Sequence, residues 1–228
     1  MKYKKRYFFL LLITLVAIHS CNSGNVDTYD AKIEKVLILG NSIVSHDPAP
    51  EIGWYHNWGM AASSRDSDFV HILSSKIHEL DTSVIILSGN LSVFENNYET
   101  YNLEQLADYR NFDADMLIIK ISENVKYSEG MDQTFIDRYT KLIDYLAPNT
   151  TVKIIVEGFW PTPVNDMIKR YAESKKLPFV KLADLFENDK SNAAIGLFEH
   201  EGVANHPSNK GMRNIAERIW DQISQHFM

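Results

Sequence analysis

Cysteine is nearly missing from this chain: Cys21 stands alone among 228 residues, which excludes a disulfide framework and a zinc site built from thiolates. Glycine and proline, at ten and seven, are too few for a collagenous or low-complexity chain. Positive charge is also short. The formal net charge is −7, and the four leader bases (Lys2, Lys4, Lys5, Arg6) precede any acid; removing them leaves 19 of the 23 bases against 30 acids, a net −11. Such a body is repelled by phosphate backbones and anionic lipid, so nucleic acid is excluded as a partner and any membrane attachment has to be covalent or apolar. What is present, 45% apolar and 23% charged residues, is enough to bury the core of one large α/β domain.

The first residues, MKYKKR, form a positive n-region, and Tyr7 to Ile18 is an apolar run broken only by Thr14, too short for a comfortable bilayer span. The run ends Ile18-His19-Ser20-Cys21, which resembles a bacterial lipobox of the looser kind found in Bacteroidota, with His19 in place of the usual small residue. The resemblance implies cleavage after residue 20 and lipidation of Cys21, an anchor that needs no transmembrane helix. Residues 21–30 then form a short tether. Asn22 after the cysteine favours the outer membrane, with the body facing the periplasm or the cell surface.

From Ile33 onward short aliphatic runs alternate with amphipathic stretches, which predicts parallel strands joined by crossover helices. The expected strands are Val36–Leu39, Val84–Leu87, Met116–Ile121, Val152–Val156 and Phe179–Val180. The expected helices are Phe69–Leu80, capped by Ser67 or Asp66, then Asp132–Leu146, Val164–Lys175 and Asn209–Phe227. Continuously apolar strands belong in a sheet covered on both faces, so the fold class is α/β, a three-layer α/β/α sandwich in one domain over 31–228. In such sheets ligands sit beyond the carboxyl ends of the strands. The segments to inspect there are Gly40-Asn41-Ser42-Ile43, Ser88-Gly89-Asn90, Ser122-Glu123-Asn124-Val125, Glu157-Gly158-Phe159-Trp160 and, before the last helix, Val203-Ala204-Asn205-His206-Pro207.

Ser42, directly after a buried strand, is positioned to be a nucleophile if a base reaches it, and His206 in a Pro-punctuated loop is the candidate base. The N–H groups of Ser42 and Gly89 and the Asn124 amide are candidate oxyanion donors. Taken singly each has a bland reading, as a turn, a glycine position, a loop amide or a surface histidine. Together, GNSI after the first strand, a glycine after the second, an Asn after the third and HPSNKGM before the last helix resemble the SGNH/GDSL hydrolases across nearly the whole mature chain. The resemblance implies a flavodoxin-like sandwich with a parallel five-stranded sheet and a serine esterase without metal or organic cofactor, with Ser42 as nucleophile, His206 as base and Ser42, Gly89 and Asn124 as the oxyanion hole. Two blocks depart from the family. Ser122-Glu123-Asn124-Val125 keeps only the Asn of GxND, and Val203 stands where DxxH has its acid. Loss of that carboxylate function can cost about 10⁴ in kcat. Glu201, or else Glu199, Glu157 or a backbone carbonyl, is left to orient the imidazole; proximity favours Glu201.

A long insertion, Ser45 to Asp66, carries Trp54, Tyr55, His56 and Trp58, and Trp160 stands after the fourth strand. Flat aromatic faces suit sugar rings, so Trp54, Tyr55, Trp58 and Trp160, with Asn41 and Glu157 at the strand ends, are assigned to binding an acylated carbohydrate. His46-Asp47 is read as shaping the pocket, and His71 and His78, seven apart on one helix, lack a third metal ligand. Two other functions fit the same residues: a catalytically degenerate glycan-binding lipoprotein and a sugar O-acyltransferase.

Overall fold

The computed structural model describes residues 32–147 and 152–228; Cys21, the leader and the tether lie outside the described residues. In chain order the elements are β1 (Lys35–Gly40), α1 (Phe69–Leu80), β2 (Ile85–Asn90), α2 (Ser92–Asn97), α3 (Ala107–Asn111), β3 (Met116–Lys120), α4 (Asp132–Leu146), β4 (Val152–Val156), α5 (Pro163–Lys175), β5 (Phe179–Val180), α6 (Ala183–Asn188), α7 (Glu201–Ala204) and α8 (Asn209–Ile223). All strand pairs are parallel, in the order β2-β1-β3-β4-β5. This is the flavodoxin-like arrangement, whose strand order reverses between β1 and β3 and opens a crevice there.

The side-chain alternation of the strands divides the interior into two layers. Val36 and Ile38 of β1, Met116 and Ile118 of β3, and Ile154 and Val156 of β4 face Phe69, Leu73 and Ile77 of α1 and Met212, Ile215 and Ile219 of α8. Leu37, Leu39, Leu117, Ile119 and Ile155 face Phe135, Tyr139 and Leu142 of α4 and Val164, Ile168 and Tyr171 of α5. The central strands are buried on both sides and therefore carry continuous apolar runs, Val36–Leu39, Met116–Ile119 and Ile154–Val156, the pattern that marked them in the sequence. Among the described residues no helix is long and apolar enough to cross a membrane.

Several boundaries differ from expectation. α1 is capped by Asp68, not Ser67 or Asp66: the Asp68 carboxylate accepts from His71 N at 2.8 Å and from Gly59 N at 3.1 Å, tying the insertion to the helix start. β2 runs on through Asn90, so Ser88 and Gly89 lie inside the strand rather than after it. α8 ends at Ile223 and is followed by a 3-10 turn over Ser224–His226. α2, α3, α6 and α7, each of four to six residues, are too short for an apolar period to announce them.

Candidate active site

The β1–α1 connection begins with a tight turn in which Val44 N and Ser45 N donate to Asn41 O at 2.9 and 3.1 Å. Gly40 permits it: a Cβ there would stand 2.5 Å from Val44 Cγ2 and 2.6 Å from Lys120 O. The turn lifts Ser42 to the crevice, and Ser42 O accepts from Met60 N at 2.8 Å, so the insertion braces the serine from outside.

His206 arrives from the other end of the chain. Its main chain is held by His206 N donating to Val203 O (3.0 Å) and Ala194 N donating to His206 O (2.8 Å). Its Nε2 lies 2.7 Å from Ser42 Oγ and its Nδ1 lies 2.7 Å from Gly202 O. A carbonyl can only accept, so Nδ1 carries the proton and Nε2 presents its lone pair to the serine hydroxyl, the tautomer a general base requires. Trp160 abuts the ring edge-on at 5.2 Å and donates its Nε1–H to Asn205 O at 3.0 Å. Burial, opposed by the Gly202 bond, holds the His206 imidazole down at about 4.

The acid expected beside His206 is supplied by no glutamate. Glu201 is exposed at the first position of α7, and the Nδ1 it was expected to orient is taken by the carbonyl of the next residue. α7 is a single helical turn, and it aims the Gly202 carbonyl at the side chain four residues on. Glu199 is exposed as well. Glu157 is turned away: its Oε2 accepts from Leu182 N and Ala183 N at 2.7 and 2.8 Å, holding the start of α6, which removes it from substrate binding too. Val203 is fully buried among Ala49, Trp54, Met60, Ala61 and Ala194, so the insertion's own core occupies the neighbourhood where an acid would otherwise stand.

Other expected contacts are redistributed. Gly89 is level with Leu39 inside β2, three residues behind Ser42, and the Tyr109 hydroxyl fills the place of its missing Cβ. Trp54, 1% exposed with its Nε1 on His46 O, is a core residue and not a stacking platform. Trp58 is half-buried, donates to Ala62 O at 3.0 Å and is stacked on by His56 at 4.1 Å. Tyr55, 65% exposed, remains a free aromatic face. His71 pairs with Asp68 and accepts from Arg65, and His78 pairs with Val84 O; among the described residues no group of three or more metal-ligating side chains is assembled.

Asn41, expected to touch substrate, is 1% exposed and instead bridges two buried glutamates, donating from Nδ2 to Glu123 Oε2 at 2.7 Å and to Glu95 Oε1 at 3.3 Å. Glu123 also receives Phe159 N at 2.8 Å and the Lys120 ammonium, clasping the ends of β1, β3 and β4 together. Burial opposes ionisation of Glu123, but Lys120 outweighs it and holds the carboxyl below its ordinary value. For Glu95, burial and then the facing charge of Glu123 push the carboxyl up to about 7. Asn124 Nδ2 donates to Glu95 Oε2 at 2.7 Å and to Ser92 Oγ at 3.4 Å. Sequence reasoning passed over Lys120 and Glu95, and it offered a backbone carbonyl for the imidazole without placing it at Gly202. A lysine closing the apolar strand Met116–Lys120, with a glutamate three residues on, was a readable sign of a buried ion pair; the other two had no local sign.

No protein-family model and no curated protein matches the sequence. Solved structures do match the fold. A member of the lipolytic protein G-D-S-L family from Veillonella parvula DSM 2008 superposes with a TM-score of 0.52 at 13% identity, covering 84% of this chain and 98% of that one. An acetylxylan esterase from Geobacillus stearothermophilus, solved as a catalytic mutant, gives 0.52 at 16% identity over 84% and 94% of the two chains. A two-domain esterase active on acetylated mannans gives 0.57 at 16% identity over 85% of this chain; this chain spans 49% of that one. The fold is that of the SGNH/GDSL hydrolases, a three-layer α/β/α sandwich around a parallel five-stranded sheet.

Proposed function

We propose that this chain is a serine ester hydrolase of SGNH type in which Ser42 attacks and His206 is general base and acid. The observation that carries the reading is the 2.7 Å approach of Ser42 Oγ to His206 Nε2, with the opposite ring nitrogen fixed as donor by Gly202 O. Ser42 Oγ bonds to the ester carbonyl carbon as its proton passes to Nε2, and the oxyanion is met by Ser42 N–H and the Asn124 amide. His206 then gives the proton to the departing alkoxide, leaving an acyl-serine. Water adds with His206 again taking the proton, which returns to Ser42 Oγ as its bond to the acyl carbon breaks and the acid is released. A carbonyl on Nδ1 holds the correct tautomer, the function whose loss costs about 10⁴ in kcat where an aspartate supplies it. It offers less charge to the imidazolium than a carboxylate, and a Ser–His dyad is the result.

The substrate proposed is an acetyl ester on a carbohydrate. Support comes from the acetylated mannans and acetylxylan named for two proteins of this fold, and from Tyr55 and Trp160, one exposed and one beside the imidazole. The N-terminal reading is proposed with it: residues 1–20 as a cleaved leader, Cys21 as the lipidated anchor, 21–30 as tether and 31–228 as the hydrolase domain, held at the outer membrane. The test is full-length protein in detergent with a short-chain aryl ester, acetylated xylan and a fluorophosphonate probe. Turnover and labelling that both vanish in Ser42→Ala support the reading. Neither turnover nor labelling in wild type overturns it and favours a glycan-binding protein, whose ground is the buried valine at the acid position. Mass analysis of Cys21→Ala tests the anchor, which a mass difference equal to the side-chain substitution alone refutes.

A further inference from the structure

Beneath the serine turn lies a charged residue that the hydrolytic scheme does not use. Glu95, on α2, is 1% exposed, and every polar contact its carboxylate makes is to a nitrogen of the candidate site or of the loop carrying it. Oε1 accepts from Ser122 N at 2.7 Å, from Asn41 Nδ2 at 3.3 Å and from Asn124 N at 3.4 Å. Oε2 accepts from Asn124 Nδ2 at 2.7 Å. One carboxylate thus grips the loop after β3 by two main-chain amides, the side chain of Asn124 by one of its two N–H groups, and the residue preceding Ser42. An amide on a surface loop has rotamer freedom to lose when it is aimed at an oxyanion, and a donor already fixed costs no reorganisation at the moment of reaction.

We infer that Glu95 is the positioning residue of the oxyanion hole: it pins one N–H of Asn124 at 2.7 Å, and the other, which has only a long 3.4 Å contact to Ser92 Oγ, is left to turn to the reacting carbonyl oxygen above Ser42. The role rests on the hydrolase reading. It would explain why the GxND pattern can lose its leading glycine and final acid here, since the acceptor that orders the Asn comes from α2 instead. The ionisable groups facing Glu95 are Glu123 and Lys120, and burial together with Glu123 pushes its carboxyl up to about 7. Below that pH the carboxyl is predominantly neutral, which reduces the negative charge one hydrogen bond behind the oxyanion donor.

The test is a double-mutant cycle on kcat for the short-chain aryl ester with Glu95→Gln, Asn124→Ala and the double variant, in the full chain, with circular dichroism on each. A glutamine in this ring of donors turns an N–H₂ on Asn124 or Ser122, so Glu95→Gln should lower kcat about tenfold to a hundredfold with KM within about twofold, up to the loss expected for a missing oxyanion donor. It should cost nothing further once Asn124 is alanine. Losses that multiply in the double variant overturn the inference while leaving the hydrolase intact. No Ser42-dependent turnover in wild type removes the hydrolase reading and this role with it. Should Glu95→Gln fail to fold, the wild-type protein still answers. Its Asn124 side-chain amide resonances, identified by their loss in Asn124→Ala, should show one N–H shifted downfield and protected from solvent exchange by the carboxylate, and two N–H signals that exchange equally fast overturn the pairing.

Discussion

Protonating His206 is the perturbation that most directly separates this dyad from a histidine paired with a carboxylate. The imidazole is buried, its Nδ1 faces a neutral carbonyl, and its value falls from 6.5 to about 4. At pH 5 an unperturbed imidazole is about 3% in the base form, whereas one at 4 is about 90%. The acid limb of kcat/KM and of fluorophosphonate labelling is therefore expected near pH 4, with the plateau reached by about pH 5 to 6. Stability moves with it. The folded value lies below the unfolded one, so the contribution is fully present above 6.5 and is lost as pH falls through 4, about 3 kcal/mol in all. Glu95 has the opposite sign, its folded value being raised from 4.5 to about 7, so its contribution is present below 4.5 and fades as pH rises through 7. The two slopes oppose one another between about 4.5 and 6.5, so the net contribution of the pair changes little there and falls as pH drops towards 4. Labelling rates from pH 3.5 to 8, with circular dichroism at each point, are the assay. An acid limb centred at pH 6 or above in folded protein that persists in Glu95→Gln refutes the carbonyl-paired geometry, because with Glu95 removed from the titration it requires a negative charge at Nδ1.

Other perturbations test neighbouring parts. Glu201→Gln should leave kcat/KM within about twofold, since its side chain is solvent-exposed and Nδ1 is already satisfied; a hundredfold loss would restore it as the acid. Glu157→Ala should cost about 1–3 kcal/mol by chemical denaturation, leaving Leu182 N and Ala183 N without an acceptor, while KM is unchanged. Lys120→Met should cost about 3–5 kcal/mol, because Glu123 is left buried without its cation. Trp54→Ala should lower stability by about 3–5 kcal/mol through the cavity it opens beside Val203, and a change confined to substrate affinity would contradict its placement in the core.

The sheet and its flanking helices were legible in the chain because their signals are local. The apolar runs Val36–Leu39 of β1 and Met116–Ile119 of β3, and the helical spacing of Phe135, Tyr139, Leu142 and Leu146 on α4, dictate burial whatever lies around them. Gly40 before Ser42 and Pro207 after His206 were equally visible as a turn and a loop. What could not be read were groups whose meaning depends on a partner far away in sequence. A glutamate looks solvated wherever it stands, so nothing local separated Glu95 and Glu157, which are buried against backbone amides, from Glu199 and Glu201, which face water. The Gly202 carbonyl has no side-chain signature at all. Trp54 and Tyr55 are adjacent and chemically alike, yet the turn between Ala49 and Trp54 sends one ring into the core and the other into solvent. The order of residues along the chain determined which segments form the sandwich and which loops end at its crevice. Only the folded arrangement decided which acceptor meets Nδ1 of His206 and which carboxylate lies beneath Ser42. Hydrophobic periodicity is a property of neighbours in sequence, whereas hydrogen-bond pairing and desolvation belong to neighbours in space.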